Sequence, residues 1–101
     1  MKDYEISFEL FKEVMVDLTE EELKYCYEAL KYGAVINTFY VKCFDYARSK
    51  EMFLNIVDKQ YYYSVEIKDY EDYEPNPLFK HDNMKQAVFN ACEYIMNYKR
   101  H

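Results

Sequence analysis

The sequence predicts one α+β domain spanning residues 1–101 in the order ααβββα, with the helices packed on one face of a three-stranded antiparallel meander. Three observations predict it. Apolar residues recur at three and four near both ends of the chain, the spacing of one helix face. The single glycine, Gly33, separates a helical texture from one rich in β-branched and aromatic residues. The middle of the chain then breaks into short aromatic runs divided by polar turns. A chain of 101 residues supports one modest core and no second independent one.

From Ser7, the residues Phe8, Leu10, Phe11, Val14, Met15 and Leu18 form one stripe, predicting an amphipathic first helix of about three turns. The run LTEEEL supplies the sharpest local signal. Thr19 caps a second helix, Glu22 reaches back to the Thr19 amide, and Leu18 and Leu23 stand at the positions of a hydrophobic staple. Glu20, Glu21 and Glu22 lie where the positive end of the helix dipole favours anions, so their placement needs no ligand. The second helix is expected to reach Tyr32 and stop at Gly33, which suits a left-handed C-cap residue.

After Gly33, AVINTFYVKCF reads as a first strand, with Val35, Phe39, Val41 and Cys43 on one side. Ala47 to Lys50 is expected to turn the chain and MFLNIV to form a second strand. The weakest stretch is Asp45 to Val57, whose Tyr46, Phe53, Ile56 and Val57 also fit a helix face; the strand reading is preferred. Asp58-Lys59-Gln60 turns the chain again into YYYSVEIK. There Tyr61, Tyr63, Val65 and Ile67 alternate with Tyr62, Ser64, Glu66 and Lys68. Asp69 to Pro77 is a connection, because Pro75 and Pro77 oppose both a regular helix and a central strand. Asp82 or Asn83 caps a last helix with a stripe of Met84, Val88, Ala91, Cys92 and Ile95.

The net charge of −6 is uneven along the chain. Residues 1–33 carry nine acids against four bases and residues 66–82 six against two, so two negative blocks frame a nearly neutral middle. Direct nucleic-acid binding is disfavoured, since a polyanion would approach a negative surface with only Arg48 and Arg100 to offer a guanidinium fork. The start MKDYEISFEL has no apolar run or cleavage site, which predicts no secretory signal, and no stretch approaches the length of a membrane span. Cys26, Cys43 and Cys92 are odd in number and widely spaced, predicting reduced thiols in a cytoplasmic protein.

Catalytic chemistry finds little support. His81 and His101 are the only histidines, no Cys-x-x-Cys occurs, and one glycine cannot build a phosphate loop. The reading is therefore a protein without catalytic residues, metal site or cofactor. Thirteen tyrosines and no tryptophan suit either core edges or a protein interface. Tyr27 and Tyr63 lie on apolar faces and are assigned to the core. Tyr62, Tyr70 and Tyr73 are assigned to an interface.

The segment DYEDYE, preceding Pro75, concentrates carboxylates after an aromatic strand. Its plain explanation is a solvated stretch that discourages edge pairing. Its functional explanation is an imitation of a phosphate track, presented to the basic groove of a nucleic-acid-handling protein. The candidate contact residues are Tyr62, Glu66, Asp69, Tyr70, Glu71, Asp72, Tyr73 and Glu74. The expected function is that of a small acidic inhibitor, a phage or mobile-element product that blocks a host or defence protein such as a nuclease. Two alternatives stand beside it: an immunity protein or antitoxin that neutralises a basic toxin, and a structural or regulatory subunit that forms a homodimer.

Overall fold

A computed structural model describes residues 4–69 and 77–98. Among these, four helices and one three-stranded antiparallel sheet form an α+β fold: α1 (Phe8–Val14), α2 (Glu20–Leu30), α3 (Ile36–Ser49), β1 (Met52–Asp58), β2 (Tyr63–Asp69), β3 (Leu78–His81) and α4 (Met84–Asn97). The expected succession of N-terminal helices, three-stranded meander and C-terminal helix is present. It contains one further helix, α3, where a strand was expected.

The helix starts follow local chemistry. Ser7 caps α1, its hydroxyl accepting from the Leu10 N–H at 3.1 Å. The capping box at α2 is complete: Glu22 N–H donates to the Thr19 hydroxyl at 3.3 Å, and the Glu22 carboxylate accepts from the Thr19 N–H at 3.0 Å. Those bonds from the Thr19 backbone and side chain hold the Glu22 carboxyl below its ordinary range. At the far end of α2, Ala34 N–H reaches the Ala29 carbonyl at 3.1 Å and Gly33 N–H the Leu30 carbonyl at 3.0 Å. With Gly33 at φ 82°, this is a Schellman closure, which only glycine enters without a Cβ penalty. Asn83 caps α4 by accepting from the Gln86 N–H.

Three expectations are corrected. Residues 36–44 are helical rather than a strand, and helix continues through the expected turn at Ala47 to Ser49. The buried set Ile36, Phe39, Cys43, Tyr46 and Ala47 has helical spacing, whereas alternation would have put Asn37 on the apolar side and Val41, which is 60% exposed, inside. Helix α1 ends at Val14 instead of Leu18, with Met15 as its C-cap. Between the expected connection, Asp69 to Pro77, and α4, Leu78–His81 form the unexpected short strand β3, its preceding Pro77 standing where a missing N–H is tolerated. Residues 45–57 are thus divided between the end of α3 and strand β1.

The sheet runs β1-β2-β3, with Leu54 opposite Ile67, Ile56 opposite Val65, and Val65 opposite Phe79. Val65 and Ile67 are buried, while Phe53, Val57 and Leu78, on alternate positions of their strands, stay exposed. Helices α3 and α4 contact the strands, and α1 contacts α2, α3 and α4. The core between them is aromatic: Phe39 stacks on Phe11 at 5.5 Å and meets Phe89 at 5.1 Å, all three fully buried.

Candidate functional site

The sheet positions the sequence-predicted contact residues unevenly. Glu66 lies in β2, half-buried, between Asn55 of β1 and Leu78 of β3 in the ladder. Asp69 is the last residue of β2, its backbone opposite Met52. Tyr62 immediately precedes β2, its carbonyl accepting from the Lys59 N–H at 2.9 Å and its ring 5.5 Å from the Lys80 ammonium. Tyr70, Glu71, Asp72, Tyr73 and Glu74 lie outside the described residues, as does the side chain of Asp69. The chain returns at Pro77, whose carbonyl accepts from the Ile67 N–H at 3.1 Å. The acidic segment is therefore the connection of a β2–β3 hairpin.

Strand parity brings Ser64 and Glu66 to the same side of the sheet as Phe53, Asn55, Val57, Leu78 and Lys80. Phe53 and Val57 are each 37% exposed and Leu78 55%. Ser64, the smallest residue there, is buried between Val57 and Lys80, its neighbours across the ladder. This side combines an apolar strip with carboxylate and ammonium groups. Tyr27 and Tyr63, assigned to the core, are both half-buried, and the Tyr27 hydroxyl donates to the Ile6 carbonyl at 2.6 Å.

Sequence reasoning missed a second feature, a polar cleft of about 290 Å³ lined by Tyr4, Glu5, His81, Asp82, Asn83, Gln86 and Asn90. Gln86, 6% exposed, organises it. Its side chain accepts from the Glu5 N–H at 2.8 Å and donates to the Glu5 carbonyl at 2.9 Å and to Asn90 Oδ1 at 2.8 Å. His81 Nδ1 accepts from the Asn83 N–H at 2.9 Å and lies 2.9 Å from Asp82 Oδ1. These groups satisfy one another, so the cleft joins the entry segment to α4 rather than presenting an open chemical site. A glutamine on an otherwise apolar helix stripe was the available signal.

The described cysteines carry free thiols. Cys43 and Cys92 are buried together, with the Cys92 Sγ 3.6 Å from the Cys43 carbonyl. Their hydrogen bond and burial push the Cys43 thiol up, away from the reactive thiolate. Among the described residues no group of three or more His, Cys, Asp or Glu side chains converges to hold a metal ion, and no helix is long and apolar enough to cross a membrane. Compared with protein-family models, with curated proteins and with solved structures, the chain matches none.

Proposed function

We propose that the protein is a small acidic binding protein that inhibits a nucleic-acid-handling partner by covering its basic surface. All four helices lie on one face of the sheet in this reading, supported by the contacts of α3 and α4 with the strands and by the burial of Val65 and Ile67. The other face is left for a partner. The observation that carries the reading is the exposed strip of Phe53, Val57 and Leu78 beside Glu66 and Tyr62, on the hairpin whose connection holds Asp69, Glu71, Asp72 and Glu74. An apolar centre with an acidic margin gives contact area at the middle and steering at the edge. The free thiols accord with a reducing cytoplasmic setting.

The test begins with affinity capture from the native host and mass spectrometry, which distinguishes a nuclease or defence protein from a toxin. The purified partner is then titrated against D69N/E71Q/D72N/E74Q. Removing four charges from the connection should slow association and flatten its salt dependence, with unfolding of the free protein changed by no more than about 0.5 kcal/mol. An unchanged affinity and salt slope would remove the acidic connection from the interface.

A further inference from the structure

We propose that the outer edge of β1 is a self-association site, where a second copy of this chain adds its own β1 antiparallel about a two-fold axis through Asn55. This inference rests on the sheet edge and is independent of the inhibitor reading.

The two edges of the sheet differ. Strand β3 is short, with four residues, follows Pro77, and carries Lys80 and His81, the usual means of discouraging further pairing. Strand β1 has seven residues, MFLNIVD, without proline, lysine or any charge before Asp58. Among the described residues, β2 pairs with one side of β1 and no strand pairs with the other. A long uncharged edge is a template for another strand.

Burial points to the same edge. Across the β1–β2 ladder, Val65 is 0% exposed and Ile67 3%, yet their β1 partners Ile56 and Leu54 are only half-buried. The core thins where the sheet ends, and another strand beside β1 would cover those side chains.

Self-complementarity selects the occupant and the register. Antiparallel pairing centred on Asn55 sets Asn55 against Asn55 of the second copy, Leu54 against Ile56, Phe53 against Val57 and Met52 against Asp58. All seven strand residues find a partner, which no shifted register achieves. The product is one six-stranded antiparallel sheet whose two copies turn the same face outward.

Light scattering with size exclusion, from micromolar to high-micromolar concentration, tests the proposal. The wild-type protein should approach twice 12.4 kDa as concentration rises. Asn55→Lys sets two ammonium groups against each other at the axis, and dissociation should become easier by about tenfold or more. Within one copy the new lysine faces Glu66 across the ladder, and circular dichroism with urea unfolding establishes that the fold is kept. A second variant, Val57→Thr, sets a hydroxyl against Phe53 of the other copy and should weaken association by about two- to fivefold. A wild-type mass of 12.4 kDa throughout, or an Asn55→Lys or Val57→Thr protein that associates like wild type, would overturn the proposal.

Discussion

In the helical layer, the entry segment is tied down residue by residue from other helices: Glu5 by Gln86, Ile6 by Tyr27, and Ser7 by Glu93 at 2.9 Å. Below it the Phe11, Phe39 and Phe89 rings are fully buried. In the sheet, backbone ladders hold the strands, and one of its two faces keeps Phe53, Val57 and Leu78 partly in water. The helical layer uses its large side chains and side-chain bonds to specify the fold. Among the described residues, the sheet leaves apolar side chains partly in water and no strand beside the outer edge of β1. That difference separates what stability requires from what is available for contact.

Phe39→Ala should break the helical side most severely. It removes a fully buried ring that touches both Phe11 and Phe89, and the cavity cannot collapse without moving α1 and α4 as well. The expected loss is about 3–5 kcal/mol, a large share of the 5–15 kcal/mol typical of small domains. Urea unfolding followed by circular dichroism measures it; a loss below about 1 kcal/mol would mean that the aromatic cluster is not the centre of the core.

Thr19→Ala tests the same layer at its boundary. The variant loses the hydroxyl that accepts from the Glu22 N–H, and an expected 0.5 to 2 kcal/mol of stability with it, about the cost of one N-cap. The pH dependence has a definite sign. The Glu22 carboxyl is held down in the folded protein by its bonds from Thr19, so its contribution is present above the unfolded carboxylate pKa and fades as pH falls through the folded one. In acid the gap between wild type and a Glu22→Gln variant should narrow, and a constant gap would detach the Glu22 charge from the cap.

Which parts of this fold were legible in the chain follows from where the local signals sit. The capping box at Thr19, the left-handed Gly33 beyond α2 and the stripe ending at Ile95 are encoded locally and appear as expected, although α2 itself ends at Leu30 rather than Tyr32. Helix α3 carries no such signal. Its N-cap is Val35, in the left-handed region at φ 56° and with no side-chain cap, so nothing ahead of Ile36 announces a helix. Its valine, threonine and aromatic content argued for a strand until tertiary burial of Ile36, Phe39 and Cys43 overrode that propensity. Strand β3 was hidden by its four-residue length and by Pro77. Of the contact residues, sequence alternation correctly located Glu66 opposite the buried Val65 and Ile67 side of the strand. The exposed Phe53, Val57 and Leu78 beside it depend on which strands become neighbours, and that is a long-range fact no local window contains.

The smallest expected effect sharpens the comparison from the sheet side. Val57→Thr keeps the β-branch and hence the strand preference, and replaces a methyl that is already partly in water with a hydroxyl that water can satisfy. Its ladder partner Ser64 remains small and polar, so no new clash arises across the strands. At a concentration low enough for the protein to be monomeric, the stability change should stay within about 0.5 kcal/mol, the ordinary range of a surface site. The same substitution at high concentration probes more, because Val57 faces Phe53 of the second copy in the register centred on Asn55. A hydroxyl placed against that ring should weaken association while the isolated fold is unaffected. If the monomer instead loses more than about 1 kcal/mol, Val57 is covered within its own chain, and the sheet face is part of the core rather than a surface held open for contact.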